Sequence, residues 1–184
     1  MNLKRTYFIV TLALVVFYTL MCVLGSEDYV SESSIEIHAG NGQVAWMVAD
    51  FHNWHKWQQN IKEDEIEPII TGEAMMAGHA MMLPNGERNE RFTLKAIYAQ
   101  PSWVDQIYFE RDVWVNGQKT PAESGNLMFE IYSAKSGNVG LRCKIQQGKV
   151  PFLFRGMIFV LGGNDQLNRW NEANLLSIKK VLEG

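Results

Sequence analysis

An uncharged run of twenty residues near the N-terminus, 6–25, constrains this chain more than any other feature of its sequence. At ~1.5 Å per residue, a helix of that length extends roughly 30 Å, which matches the hydrocarbon thickness of a bilayer. The apolar core of an ordinary signal peptide is shorter, at about 7–15 residues. The run therefore predicts an uncleaved transmembrane helix. Val23 and Gly25 leave a cleaved signal peptide as a second interpretation, because small residues precede the cleavage site of such peptides.

The charges on either side of the run predict its orientation. Lys4 and Arg5 precede it, whereas acidic residues follow it. Because positive charges favour the cytoplasmic side of a membrane, we expect residues 1–5 in the cytoplasm and the rest of this single-pass protein on the periplasmic or extracytoplasmic side. Residues 26–33 are then a short tether, and residues 34–184 form one domain.

The composition of the chain excludes several classes of protein. A formal net charge of −3 and a pI near 5.8 argue against a nucleic-acid partner, which would normally need a basic surface. Two cysteines, Cys22 and Cys143, cannot form a disulfide framework. His52 and His55 lack a third metal ligand nearby in the sequence, and no phosphate-binding glycine loop or nucleophile motif occurs. The sequence therefore predicts no cofactor and no metal site.

Alternation of apolar and polar residues, with turn signals between the runs, predicts a sheet of antiparallel strands. The predicted strands cover residues 34–38, 66–71, 78–83, 88–98, 103–115, 127–132 and 139–146. Helical spacing over 44–51 predicts a first helix, and an aromatic-rich turn follows over 51–57. The apolar run at 152–161 favours neither type of element.

The last helix is predicted over residues 165–182, with Asn164 as its N-cap. Its apolar side chains fall on one face at about 100° per residue. These side chains are Leu167, Trp170, Leu175, Ile178, Val181 and Leu182. Because that face has to cover the sheet, the order of elements predicts an α+β domain in which antiparallel strands hold one long terminal helix. A twisted sheet and a straight helix do not fit everywhere, so a hollow is expected between them.

Several segments, in this order and spacing, resemble one known superfamily. They are the opening strand and helix over 35–46, the aromatic turn over 50–57, the strand flanked by Gly72 and Gly78, the hairpin over 95–107 and the closing helix over 171–180. Together they resemble the START-like helix-grip superfamily (SRPBCC), and within it the polyketide cyclase/dehydrase-like branch. The chain departs from that pattern at Asn174, where the family usually has glycine.

The resemblance implies a helix-grip fold, in which a curved antiparallel sheet wraps around a long C-terminal helix and leaves a pocket for a hydrophobic small molecule or lipid. We therefore expect a membrane-anchored START-like module that binds such a ligand and reaches the membrane through residues 6–25. The alternative is a polyketide cyclase/dehydratase-like enzyme acting on an apolar substrate in the same cavity. A third interpretation is an assembly partner with a filled interior. Fold does not fix function, and the residues favour a ligand-binding protein over an enzyme.

Nine residues are candidates for the ligand-binding wall of such a pocket. They are Trp57, Met81, Phe92, Ile107, Phe109, Phe129, Trp170, Asn171 and Asn174. Strand alternation directs the apolar members inward, where core packing is the ordinary explanation and a cavity wall the alternative. Trp57, together with Trp54, would either seal one end of the pocket or pack the turn.

The two asparagines project onto the apolar face of the last helix. A buried amide without a hydrogen-bond partner costs about 1–3 kcal/mol. A ligand group, a cavity water or a side chain of the sheet would supply the partner that Asn171 and Asn174 need.

No catalytic residue is assigned. His79 beside a carboxylate such as Asp105 would suit acid/base chemistry, and Arg111 shares a strand face with Asp105. No spacing brings these groups together, so a surface histidine and a strand-edge ion pair are the ordinary explanation.

Overall fold

A computed structural model describes residues 3–58, 61, 66–121 and 123–184 of the chain. Its first element is helix α1, Leu3–Leu24. Within α1, Thr6–Leu24 is an apolar stretch of 19 residues, of which 6% is buried. The length and composition of this stretch suit a membrane crossing, and they are equally typical of a signal sequence near an N-terminus.

The remainder of the described chain is built around one eight-stranded antiparallel sheet. The strands are β1 (Val30–Ile37), β2 (Ile69–Thr71), β3 (Ala80–Asn85), β4 (Arg88–Gln100), β5 (Trp103–Val115), β6 (Gln118–Lys119), β7 (Gly125–Ser133) and β8 (Val139–Gln147). Their order is β1-β8-β7-β5-β4-β3-β2, and the short β6 pairs with β5. The sheet is thus a meander whose last strand pairs with the first.

The remaining helices come after the first and after the last strand of this meander in the sequence. Helix α2 (Asn41–Ala49) and a 3₁₀ helix (Phe51–Lys56) come after β1. Helix α3 (Phe152–Val160) and the long α4 (Gly163–Glu183) come after β8. Helix α4 contacts β1, β8 and α2. The predicted α+β helix-grip fold is confirmed, with its antiparallel sheet, long C-terminal helix and N-terminal apolar helix.

The first strand begins at Val30 rather than at the predicted residue 34, and so takes in part of the predicted tether. Val30 pairs with Gln146 and Ile37 with Val139 along β8. The added segment is mostly polar, and Ser31 is buried within it. Its backbone pairing with β8 therefore holds it in the sheet, and hydrophobic alternation gives no sign of it.

The final helix begins at Gly163, so Asn164 lies in its first turn and is not the predicted N-cap. Gly162 precedes the helix with a φ of 66°, a left-handed conformation that glycine adopts without steric cost. The apolar run at 152–161, for which the sequence favoured neither helix nor strand, forms α3, and Gly162 joins it to α4.

Strand β4 contains a bulge that reverses the faces of its second half. One extra residue, Lys95, interrupts its register with β5. A shift of one residue moves the following side chains to the opposite face of the sheet. Simple alternation from Phe92 and Leu94 would direct Ala96 inward, but Ile97 packs against the core instead.

Candidate ligand-binding site

The space between the sheet and α4 has a filled centre. There a cluster of aromatic rings packs with centroids 4.8–6.2 Å apart. The members of this aromatic cluster are Phe51, Trp54, Trp57, Phe92, Phe109 and Phe129. The gap left beside it measures about 10 Å³, which is too small for an organic ligand.

Two indole N–H groups fix the aromatic cluster to α2. Trp54 Nε1 donates to the Val48 carbonyl oxygen at 2.8 Å, and Trp57 Nε1 donates to the Met47 carbonyl oxygen at 3.2 Å. Both side chains are buried. Of the two interpretations left open by the sequence, packing of the turn is the one that these contacts support.

A cavity of about 510 Å³ lies at one end of the interior, between the sheet and the first turns of α4. Its apolar lining residues are Phe92, Leu127, Ile145, Leu167 and Trp170, and its polar ones are Arg88, Glu90, Arg111, Gln147 and Gln166. The volume falls in the range of about 300–1,000 Å³ that is typical of small-molecule sites. A wall of this mixed kind suits a molecule with an apolar body and a polar head.

One carboxylate between two guanidinium groups organises the polar part of the wall. Glu90 Oε1 accepts hydrogen bonds from Arg88 Nη2 at 2.8 Å and Nε at 3.0 Å. Glu90 Oε2 accepts from Arg111 Nη2 at 2.9 Å and Nε at 3.2 Å. Arg88 also pairs with the carboxylate of Glu123. The backbone carbonyl oxygen of Glu123 accepts a hydrogen bond from Arg111 Nη1 at 3.1 Å. We call these four residues the charged cluster; its two positive and two negative groups compensate each other.

The charged cluster keeps Glu90 ionised. The side chain is 14% exposed, and burial alone would raise its pKa. The positive charge of Arg111 and the hydrogen bonds from Arg88 and Arg111 outweigh burial, so the pKa of Glu90 lies below its usual value. At neutral pH this carboxylate is therefore an anion and a fixed hydrogen-bond acceptor.

The cavity lies at the end of the domain that α1 joins. The backbone N–H of Gln147, a cavity residue, donates to the Tyr29 carbonyl oxygen at 2.9 Å. Tyr29 comes five residues after Leu24, where α1 ends. After Gln147 the chain continues into α3, and the first turn of α4 brings Gln166 back to the cavity.

A second depression, of about 490 Å³, lies over β5 and β7 between Trp103 and Tyr132. Helix α4 contributes no lining residue to it among the residues that the structure describes. It is therefore a surface feature of the sheet and not part of the space between sheet and helix.

Solved structures share the architecture at low sequence identity. A protein from Nitrosospira multiformis matches with a TM-score of 0.58 and 14% identity, over 83% of this chain and 95% of its own. A protein from Mesorhizobium loti matches with a TM-score of 0.56 and 11% identity, over 84% and 96% of the two chains. DynU16, a protein in the dynemicin biosynthetic locus, matches with a TM-score of 0.54 and 11% identity over 84% of this chain, which spans 47% of DynU16.

These neighbours share the architecture of this chain, a curved antiparallel sheet with a long C-terminal helix. The chain has an SRPBCC-like helix-grip fold. The sequence itself matches no protein-family model and no curated protein. At identities of 10–15% the helix-grip similarity concerns the fold alone.

Six of the nine predicted site residues line the cavity, the small gap or both. Phe92 and Trp170 line the cavity. The residues around the 10 Å³ gap include Trp57, Phe129, Asn171 and Asn174, with Trp170 reaching both spaces. Met81, Ile107 and Phe109 are fully buried in the core and line neither space. Most of the predicted wall therefore belongs to the filled centre.

The residues that sequence reasoning missed are mainly the polar ones. Glu90 stands two positions before Phe92 on β4, and Arg111 two positions after Phe109 on β5, so both point inward. A charged residue at an inward position of a strand was the available signal. The sequence singled out Arg111 on this face, but as a partner of Asp105.

Asn171 is held by protein groups. Its Nδ2 donates to Ser31 Oγ at 3.2 Å and to the Cys143 carbonyl oxygen at 3.0 Å. Its Oδ1 has no hydrogen-bond partner in the described part of the chain. These contacts tie α4 to β1 and β8, so the amide fastens the helix to the sheet. Asn174 is buried next to the same small gap.

His79 is a buried residue whose nearest carboxylate is that of Asp50, not Asp105. Its Nε2 accepts the N–H of Phe51 at 3.3 Å and lies 3.6 Å from Asp50 Oδ1, while its Nδ1 lies 3.2 Å from the Thr71 carbonyl oxygen. Asp105 accepts a hydrogen bond from Gln100 at 3.2 Å. His79 thus links the 3₁₀ helix to the segment before β3, away from the cavity wall.

Asp50, His52 and His79 bring three potential metal-ligating atoms within 4.8 Å of one another. The atoms already serve local structure: Asp50 Oδ1 accepts the backbone N–H of His52 at 3.0 Å and lies 2.8 Å from His52 Nδ1. His79 Nε2 accepts the backbone N–H described above. The arrangement caps the 3₁₀ helix, and these bonds would have to break before a cation could bind.

Proposed function

We propose that this protein is a membrane-anchored helix-grip module that binds an amphipathic small molecule or lipid in the cavity between the sheet and the start of α4. The observation that carries the proposal is the cavity, about 510 Å³ in volume, with apolar side chains on one part of its wall and three members of the charged cluster, Arg88, Glu90 and Arg111, on another.

The wall separates the two ends of such a guest. Its apolar body would lie against Leu127, Ile145 and Leu167, where burial contributes about 25 cal/mol per Å² before the costs of association. Its polar head would lie near Gln166 and Arg88. The Arg88 side chain is 38% exposed, against 19% for Arg111, so Arg88 is the guanidinium with more freedom to turn toward a head group.

The membrane anchor in this proposal is α1. Its 19-residue apolar stretch has the length to cross a bilayer, and the basic residues before it favour a cytoplasmic N-terminus. The domain and its cavity would then lie on the periplasmic or extracytoplasmic side, close to the membrane, because only residues 25–29 separate α1 from β1.

A cyclase- or dehydratase-like reaction is the second candidate function, and the presence of Glu90 in the cavity wall is the observation that favours it. A general base needs a pKa near the working pH and a free oxygen. Both oxygens of Glu90 accept hydrogen bonds from arginines, and its pKa is lowered. Binding is therefore the function that the geometry supports better.

Mass spectrometry of molecules that copurify with the full chain tests the proposal. Leu167→Trp places a large ring in the cavity, whereas Leu176→Trp makes the same change at an exposed position of the same helix. We expect an amphipathic compound at close to one per chain in the wild type and in Leu176→Trp, and at least tenfold less in Leu167→Trp. Far-UV circular dichroism confirms that both variants are folded. Equal amounts in the wild type and both folded variants would refute binding in this cavity.

A further inference from the structure

Helix α3 exposes a large apolar surface. Its big hydrophobic side chains are 43–67% exposed. They are Phe152, Leu153, Phe154, Met157, Phe159 and Val160. A helix that is apolar on nearly all sides is ordinarily found inside a protein core or a membrane. A contiguous exposed apolar surface marks a site that contacts another protein, a membrane or a ligand. The described part of the chain does not cover these side chains.

One narrow side of α3 packs closely on the end of α1. Gly156 is buried there, and a Cβ at that position would lie 2.9 Å from Cys22 Sγ and 3.1 Å from the Cys22 nitrogen. A Cβ on Gly25 would lie 2.7 Å from the Arg155 carbonyl oxygen. Small residues that let two backbones approach in this way are typical of helix contacts within membranes.

The contact places α3 at a definite depth along α1. The Tyr18 hydroxyl donates to the Leu153 carbonyl oxygen, and Gly156 lies against Cys22. Tyr18 and Cys22 come six and two residues before Leu24, the end of the apolar stretch. At ~1.5 Å per residue these positions lie about 9 Å and about 3 Å inside that end. If α1 crosses a bilayer, α3 therefore lies within the outer part of the same apolar layer.

Charged groups mark the boundary on the other side of this contact. Glu27 pairs with Lys149 at 3.2 Å and with Arg155 at 3.5 Å. Arg155 Nε also donates to the Val150 carbonyl oxygen at 3.0 Å, and its guanidinium lies over the edge of the apolar surface, 5.9 Å from the centre of the Phe152 ring. Long basic side chains commonly reach the polar interface from a helix end in this manner.

We infer that α3 is embedded in the bilayer that α1 crosses, in the half that faces the domain. This inference rests on the proposed membrane anchoring by α1. A nine-residue helix is about 14 Å long and too short to span, so α3 lies alongside the end of α1 rather than crossing. The continuity of its exposed apolar surface with that of α1 identifies the occupant as lipid.

The position of α3 brings the cavity close to the membrane. Only Leu161 and Gly162 separate α3 from α4, and the first two turns of α4 carry the cavity residues Gln166 and Leu167. With α3 in the lipid, the cavity lies next to the membrane surface.

Fluorescence quenching in bilayers tests the inference on the full chain. A single cysteine carrying an environment-sensitive fluorophore is introduced at Val160 in α3, at Leu14 in α1 or at Leu176 in α4, positions that are 66%, 63% and 60% exposed. The native cysteines are buried, and unsubstituted protein measures their background labelling. The chains are reconstituted with phosphatidylcholine that carries a nitroxide on its acyl chain. Leu176 is the matched control, because it lies about 20 Å along α4 from Gly163.

We expect the label at Val160 to be quenched at least half as strongly as that at Leu14, and the label at Leu176 to be nearly unaffected. Quenching at Leu14 but not at Val160 would overturn the inference and leave the anchor intact. Absence of quenching at both would refute the anchor and the inference together. The fluorescence of the Val160 label could instead change on dilution with unlabelled protein and not with the nitroxide lipid. That result would identify a second copy of the chain as the occupant and would also overturn the inference.

Discussion

The centre of the helix-grip interior and its end beside the start of α4 are enclosed by the same two elements, the sheet and α4, yet one is filled and the other is hollow. At the centre the inward positions of the strands are apolar, and six aromatic rings occupy the space. At the end, Glu90 and Arg111 take inward strand positions beside Phe92 and Phe109. Charged side chains need polar partners or water, so the layers cannot close over them. The comparison shows that the cavity lies where polar residues occupy inward positions, and not where the largest apolar side chains are.

The largest expected effect comes from emptying the filled centre. Trp54→Ala removes a fully buried ring and its hydrogen bond to Val48, which should lower the free energy of unfolding by about 3–5 kcal/mol. Trp46 is 51% exposed, so Trp46→Ala is the matched control and should change it by about 0.5 kcal/mol or less. Urea unfolding of the detergent-solubilised chain, followed by circular dichroism, measures both. A similar loss in the two variants would contradict the close packing of the centre.

A pair of leucines compares the two regions directly. Leu94 lies in the core away from the cavity, whereas Leu127 lines the cavity. The cost of Leu→Ala grows with the volume of the void that is created. Since Leu127 already borders open space, we expect Leu94→Ala to be more destabilising than Leu127→Ala by about 1–2 kcal/mol. The same unfolding experiment decides this, and equal losses would mean that the end of the interior is as tightly packed as the centre.

The smallest expected effect concerns pH and the charged cluster. The lowered pKa of Glu90 means that over a range of acidic pH the unfolded chain binds a proton that the folded chain does not. The ionised Glu90 therefore stabilises the folded chain fully at pH values above its pKa in the unfolded chain. This stabilisation is lost as the pH falls through its pKa in the folded chain. We expect the loss to be on the order of 1 kcal/mol.

Urea unfolding between pH 6 and pH 3 measures this dependence, and Glu90→Gln should flatten it. Glu36→Gln, which makes the same change in β1 outside the charged cluster, is the matched control. An identical slope in the wild type and Glu90→Gln would show that the arginines do not stabilise the anion.

The fold was predictable because long antiparallel strands and an amphipathic last helix carry strong periodic patterns. The start of β1 was not, because backbone pairing with β8 holds a polar segment that has no hydrophobic alternation. The bulge at Lys95 was equally hidden, because it changes the pairing of β4 with β5 and not the overall apolar character of the strand.

Of the nine candidate site residues only Phe92 and Trp170 line the cavity, for a related reason. Hydrophobicity at an inward position reports burial, and Met81, Ile107 and Phe109 are indeed buried. It does not report whether the neighbouring space is filled. That depends on the volumes of side chains from α2, the 3₁₀ helix and the residue that follows it, above all Trp54 and Trp57, which occupy the space where a ligand was expected.

Photocrosslinking with a diazirine-bearing fatty acid tests the central claim, that the hollow end accepts an amphipathic guest, most directly. The full chain is irradiated in nanodiscs, and the crosslinked peptides are identified by mass spectrometry. The account predicts saturable adducts on the cavity residues Leu127, Ile145 and Leu167, and their loss in Leu167→Trp. Adducts that stay confined to α1 and α3 at every concentration would contradict it.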